Sequence, residues 1–290
     1  MPYNRLMSVA FFKMNGLGND FVVVDTRARK LKIGAVAAKR IGDRHRGVGF
    51  DQLLVIEPAS GAGDAVLRIW NPDGSKAEAC GNGTRCVADL LLKETGKASL
   101  SLLTDGGLLH CRRTDDGRVT VDMGEPKLDW QDIPIAERMD TRTLDIKVGP
   151  IDAPVLFGPS AVNMGNPHCI FFVENAEAHD LKKIGPMIEY HPLFPERANI
   201  SLAQVKSKNE IRLRVWERGA GMTLACGSAA CATTVAAARR KLADRKVRIV
   251  LDGGPLDIEW RDDNHVLMTG PTELNFTGEL ADSYFADDAS

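Results

Sequence analysis

The chain has 290 residues, 44% of them hydrophobic and 26% charged, which is the composition of a folded chain and excludes a disordered one. Lys and Arg total 37 against 39 Asp and Glu, a net charge of -2, so there is no basic excess to serve as a footprint for nucleic acid. Mean hydropathy is -0.16, and no apolar run approaches the roughly 20 residues of a membrane span. The opening MPYNRLMSVAFFKMNG lacks the apolar core of a secretory signal. A cytoplasmic protein with no nucleic-acid or membrane partner is therefore expected.

In chain order, short β-rich runs come first: FVVVD at 21–25, DQLLVIEP at 51–58 and AVLRIW at 65–70. A helix is predicted over about 82–95, stopped by Gly96, and then RVTVDM at 118–123. A connector over 127–154 is rich in charge and proline. The later runs are APVLFG at 153–158, CIFFVE at 169–174, NISLAQV at 199–205 and IRLRVW at 211–216. A second helix is predicted over about 228–241, followed by VRIVL, LDIEW and HVLM, and the tail after 271 is acidic. With one helix in each half and none between most strands, antiparallel sheet is favoured over a doubly wound fold. The second helix, SAACATTVAAARR, is small and apolar on nearly every face, as a buried helix must be.

The two halves repeat one another. Arg68-Ile69-Trp70-Asn71 and Ala79-Cys80-Gly81 recur, offset by 146, as Arg214-Val215-Trp216-Glu217 and Ala225-Cys226-Gly227. Gly18-Asn19 recurs as Gly165-Asn166, and Met123-Gly124-Glu125-Pro126 echoes Met268-Thr269-Gly270-Pro271. Landmarks in one order with slippage of a residue or two indicate two copies of one unit. The domains are expected at 1–126, joined by the tail 272–290, and at 127–271, with an active site in the cleft between them. The fold class is α+β: each copy a mostly antiparallel or mixed sheet closed as a barrel around its central helix.

Cys80 and Cys226 each stand directly before the helix of their copy. A helix start has unpaired N–H groups and about half a positive charge, which favour a thiolate and offer a seat for a carboxylate. Gly81 and Gly227 let a ligand approach the backbone closely. Two thiols at equivalent positions of a repeat suit a racemase or epimerase, in which one group removes a proton from a carbon and the other returns one to its opposite face. With no metal-ligand spacing and no pairing of a Schiff-base lysine with a phosphate site, neither metal nor cofactor is expected. Cys86, Cys111, Cys169 and Cys231 are read as buried fillers, and His45 and His191 as surface residues.

The segments FKMNGLGNDFVVVD, GVGFDQLLVIEP, WNPDGSKAEACGNGTRC, VNMGNPHCIFFVE, FPERANIS and VWERGAGMTLACGSAACA resemble those of the diaminopimelate epimerase family, over about 11–271. The resemblance implies cofactor-independent conversion of LL-diaminopimelate to the meso form, in lysine and peptidoglycan precursor synthesis, by a homodimer. It implies an acid–base pair at Cys80 and Cys226, with His168 and Glu217 modulating the thiols. It implies substrate ligands at Asn19, Gln52, Asn71, Asn166, Asn199, Glu217 and Arg218, and carboxylate-binding turns at Gly81-Asn82 and Gly227-Ser228. The second turn departs from the family pattern: ACGSAACA stands where many members have Thr then Gly after Cys-Gly. The Met1–Ala10 extension lies outside the pattern and is assigned no role.

The ligand set is chemically coherent. Diaminopimelate has two amino-acid ends; helix starts can hold the reacting one, and an Arg fork at position 218 can bind the distal carboxylate bidentately. Amides at 71, 166 and 199 serve carboxylate and ammonium alike without adding charge. A proline or hydroxyproline racemase shares the two-thiol logic but has no distal end to clamp. A Cys–His–Asn peptidase leaves the second Cys-Gly unexplained, and a binding protein of the same fold would hold the substrate without turnover.

Overall fold

The computed structural model describes residues 8–29, 31–78, 80–150 and 152–288; Met1–Met7 of the extension and Ala79 of the repeated Ala-Cys-Gly step lie outside them. The chain forms two compact units, one running to Val121 and completed by the segment from Pro271, the other spanning Asp122–Gly270.

The first part of the chain forms β1 (Ser8–Gly16), β2 (Asn19–Asp25), α1 (Ala35–Gly42), β3 (Gln52–Glu57), β4 (Ala65–Trp70), β5 (Lys76–Ala77), α2 (Gly81–Thr95), β6 (Ser99–Thr104), β7 (Gly107–Arg113) and β8 (Val119–Asp122). A two-stranded ribbon follows, β9 (Lys147–Val148) and β10 (Leu156–Phe157). Next come β11 (Ser160–Asn163), β12 (Pro167–Phe172), α3 (Leu181–Glu189), β13 (Asn199–Ser207), β14 (Glu210–Glu217), β15 (Gly221–Met222), α4 (Gly227–Arg239), β16 (Lys246–Leu251), β17 (Gly254–Trp260) and β18 (Val266–Gly270). The last strand, β19 (Glu273–Ala281), belongs to the first unit and pairs antiparallel with β1.

The repeat in the sequence is a repeat in the ladder. In the first unit β1–β2 is antiparallel, β2–β3 parallel, β3–β4 antiparallel, β4–β6 parallel and β6–β7 antiparallel. The second unit runs through the same sequence of senses from β11–β12 to β16–β17. The sheets are thus mixed, in an α+β arrangement. Each parallel pair needs a crossover, and a crossover is usually a helix. Two parallel pairs per unit therefore call for two helices per unit. The expectation of one helix per copy is corrected: α1 and α3 fill the first crossover, and α2 and α4 the second.

The two kinds of helix do different work. α2 touches β1, β2, β3, β6 and β7, strands from both ends of its ladder, and α4 touches β11, β12, β13 and β16 to β18. Gly227 and the nine residues Ala229–Ala237 of α4 are all buried except the partly exposed Ser228 between them. Small side chains let strands close in on a helix from several sides, at the cost of a polar face. α1 and α3 instead pack on apolar clusters outside that core. α1 supplies Ala37, Ala38 and Ile41 to a cluster with Val22, Val24 and Leu53. α3 supplies Leu181 and Ile188 to a cluster that also takes Ile133, Ile135, Leu144 and Ile146 from the connector. The charged, proline-containing connector is thus part of the second unit's core. Of APVLFG only Leu156–Phe157 is strand.

Among the described residues no helix is long and apolar enough to cross a membrane.

Candidate functional site

Strand order gathers the same positions at one end of each unit's sheet. In the first unit, Asn19 opens β2, Gln52 opens β3, and Asn71 follows the last residue of β4. β2 and β3 are parallel, with Phe21 opposite Gln52, and β4 runs back so that its end, Trp70, stands opposite Leu53. Three sequence-distant residues are thereby brought to one edge. Asn19 leaves a two-residue hairpin whose corners, Leu17 and Gly18, have φ of 60° and 83°. Both corners left-handed is the tight-turn geometry that matches strand twist, which accounts for a glycine at the second corner.

Cys80 is the N-cap of α2: its backbone is extended (φ -147°, ψ 105°) and its sulfur accepts the Gly83 N–H at 3.4 Å. A sulfur there satisfies one of the helix's unpaired donors, as an N-cap oxygen would. Around it runs an amide network. Asn82 Nδ2 donates to Asn19 Oδ1 at 3.4 Å, Asn19 Nδ2 donates to Asp51 Oδ2 at 2.8 Å, and Gln52 Nε2 donates to Asn71 Oδ1 at 3.2 Å. A Cβ on Gly83 would meet Leu54 at 3.0 Å, so this helix start lies close against β3.

The second unit repeats the layout with different chemistry. Asn166 precedes β12, His168 lies within it, Asn199 opens β13, and Glu217 closes β14, with Arg218 next. His168 stands opposite Asn199 in the parallel pair, and Ile200 opposite Trp216. Cys226 caps α4 in the same extended conformation, 4% exposed, with Ser228 Oγ 3.5 Å from its sulfur. Asn199 Nδ2 donates to the Pro167 carbonyl at 3.0 Å, and its Oδ1 accepts the Arg218 N–H at 2.9 Å. Arg218 Nη1 donates to the Glu196 carbonyl at 2.8 Å.

The site's histidine and glutamate sit in this second unit. Where it has His168, the first has Phe21; where it has Glu217, the first has Asn71. His168 is fully buried, its Nε2–H donates to Asn166 Oδ1 at 2.8 Å, and Nδ1 is buried with no hydrogen-bond partner. Burial, reinforced by the Arg218 charge, lowers its pKa to about 3. The imidazole is therefore neutral and presents a bare lone pair. Cys226 corrects an expectation. Burial, followed by the negative charge of Glu217, pushes its thiol well above the ordinary value, outweighing the Ser228 hydroxyl and the Ala229 N–H that favour the thiolate. A helix N-terminus contributes about half a charge, less than desolvation plus a neighbouring carboxylate. Cys226 is held as a thiol.

All the sequence-predicted residues thus fall at the α2 or α4 end of their own unit's sheet. The sequence reading missed the side chains that hold them. Asp51 accepts from Asn19 and from the Asp20 N–H, and is itself paired with Arg44 at 3.0 Å. Thr223 Oγ1 donates to Glu217 Oε1. The available signal was adjacency, since Asp51 precedes Gln52 and Thr223 lies three residues before Cys226. Cys86, Cys111, Cys169 and Cys231 are buried. Burial drives the Cys86 thiol up to about 12 and Cys169 higher still. Among the described residues, no three His, Cys, Asp or Glu side chains gather as a metal-binding group.

Comparison with known proteins bears on this arrangement. The sequence profile described as Diaminopimelate epimerase matches residues 11–128 and 160–275. The chain is 54% identical over 285 residues to the diaminopimelate epimerase of Nitrobacter hamburgensis, covering 97% of this chain and 98% of that one. It is 52% identical over 273 residues to that of Brucella anthropi, covering 93% and 90%. Among solved structures, a phenazine biosynthesis protein of the PhzF family from Bacillus anthracis aligns with a TM-score of 0.68 at 18% identity, covering 94% of this chain and 99% of that one. A hydroxyproline epimerase from Agrobacterium vitis, with bound trans-4-hydroxy-L-proline, aligns at 0.66 and 14% identity, covering 94% and 91%. At such identities the structural likeness is of the fold alone.

Proposed function

The chain belongs to the diaminopimelate epimerase family, and from that membership we infer that it is an isomerase converting LL-diaminopimelate to meso-diaminopimelate, on the route to lysine and peptidoglycan precursors. The observation that carries this reading is the family match across both halves of the repeat, with one cysteine capping the buried helix of each. A hydroxyproline epimerase shares the fold at 14% identity, whereas the family match is at sequence level, which favours diaminopimelate over proline substrates.

The mechanism we propose uses both thiols on one α-carbon. One sulfur, as thiolate, takes the α-proton; the electron pair left on carbon delocalises into the substrate's own carboxylate as an enediolate. The other thiol gives its proton to the opposite face, and the two sulfurs have exchanged protonation states. Cys226, kept protonated by burial and Glu217, is suited to donate in the resting protein, leaving Cys80 as base. N–H groups at Gly81-Asn82 and Gly227-Ser228 would bind the reacting carboxylate and carry the charge that develops on it, which is preorganised stabilisation. Asn19, Gln52, Asn71, Asn166 and Asn199 would orient ammonium and carboxylate groups, and Arg218 would clamp the distal carboxylate. Neutral His168 and anionic Glu217 would set the protonation of Cys226. No resident cofactor or metal enters this scheme. With it go a sheet closed as a barrel around α2 and α4, a cytoplasmic location and a homodimer.

The test is incubation with LL-diaminopimelate in deuterium oxide. Deuterium should enter the α-position as the meso isomer forms, and absence of both exchange and isomerisation would overturn the reading.

A further inference from the structure

Glu189 is the last residue of α3 and is buried, with 2% of its surface exposed. Its two oxygens have separate partners. Oε2 accepts the indole Nε1–H of Trp216 at 2.7 Å, and Oε1 accepts the backbone N–H of Gly219 at 3.0 Å. Trp216 and Gly219 flank Glu217 and Arg218, so one carboxylate spans the adjacent acidic and basic residues of this unit's site. On its outer side the Arg197 guanidinium stands 3.9 Å from Oε1 and lies over the Tyr190 ring at 4.5 Å. α3 is pressed onto the indole, since a Cβ on Gly185 would sit 2.4 Å from Trp216 Cγ. Asn199 holds the Arg218 N–H independently.

We infer that Glu189 is a positioning residue for the reaction: it fixes the backbone from Trp216 to Gly219, so that the Glu217 carboxylate is set against Cys226 and the Arg218 side chain against an anionic substrate group. The inference rests on the reading of Arg218 as the clamp for the distal carboxylate. A carboxylate is required because two N–H donors converge on it. Glutamine has one acceptor oxygen and would turn its own N–H toward the second donor, leaving a part-buried donor facing another N–H.

Glu189→Gln in the full chain tests this. Two quantities are measured in the wild type and the variant: the KM for LL-diaminopimelate, and the inhibition constant of an analogue whose distal carboxylate is replaced by hydrogen. In Glu189→Gln the KM should rise about tenfold while the analogue's constant moves less than about twofold, because the analogue offers Arg218 nothing to bind. A general loss of folded protein lowers kcat and leaves both constants in place. If wild-type protein neither turns over diaminopimelate nor prefers it to the analogue, the reading of Arg218 falls and the inference with it. If the wild type prefers diaminopimelate and Glu189→Gln keeps that preference in full, the inference alone is overturned. Should Glu189→Gln fail to fold, Trp216→Phe, which withdraws only the indole donor, must weaken the preference in the same direction; an unchanged preference overturns the inference.

Discussion

An imidazole moved from water to the surroundings of His168 exchanges hydration for apolar neighbours and a nearby guanidinium. Its pKa falls from 6.5 to about 3. Between those values the unfolded chain binds a proton that the folded chain does not. The stability this residue contributes is therefore present above pH 6.5 and is lost as pH falls toward 3, with a limiting slope of about 1.4 kcal/mol per pH unit. Urea midpoints of His168→Gln should depend on pH less steeply than those of the wild type between pH 6.5 and 4; parallel curves would rule out His168 as the source. The cysteines make the complementary prediction. If each thiol performs one half of a proton exchange, as the proposed mechanism requires, Cys80→Ala and Cys226→Ala should each lower epimerisation by roughly 10²–10⁴-fold or more, with unchanged far-ultraviolet circular dichroism. Full activity in either variant excludes two-base chemistry.

At the scale of single elements, α2 ends as its sequence reads. The predicted helix over 82–95 forms as Gly81–Thr95, and Gly96 takes the left-handed cap (φ 68°) with its N–H on the Leu92 carbonyl. Nothing lies within 4 Å of where a Gly96 Cβ would stand, so Gly96→Ala isolates the backbone cost. It should lower stability by about 1 kcal/mol, read as a thermal shift of a few degrees with normal activity; no shift would mean that the cap relaxes freely. Why some elements were legible and others not is a matter of local against non-local cause. α2 and α4 announce themselves by an uninterrupted helical run behind a cysteine cap. α1 is only eight residues long, and α3 carries Gly185-Pro186 inside it, so neither stands out as a helix. The parallel pairs that require them join strands far apart in sequence. The same holds at the site. Asn19, Asn71 and the capping cysteines surface through the repeat, whereas Asp51 and Glu189 matter through partners 32 and 27 residues away.

Across the whole molecule the units differ in how they are completed. The second is one continuous stretch, and the first needs β19 from the far end of the chain. β19 pairs with β1 from Ser8↔Ala281 to Asn15↔Glu273, and the segment around it brings Leu280 and Phe285, each 3% exposed, into the cluster with Val9 and Phe11. Removing residues from Pro271 onward deletes that ladder and about 3–6 kcal/mol of apolar burial, a large part of a domain's 5–15 kcal/mol. The truncated chain should accumulate as aggregate or elute as an expanded species on gel filtration; a compact, thermally cooperative truncation product would show that β19 is dispensable. The same strand sets a timetable for synthesis. A ribosome making the chain exposes β1 first and its partner β19 last, with roughly 160 residues between the end of the first repeat and the end of β19. At 5–20 residues per second, the open edge of β1 waits on the order of 10–30 s after the first repeat is complete. By the end of that interval the middle of the chain, complete at Gly270, already contains everything its own unit needs. The half translated first is thus the half finished last, and nascent chains stalled before Pro271 are where a chaperone that covers unpaired strand edges should be found.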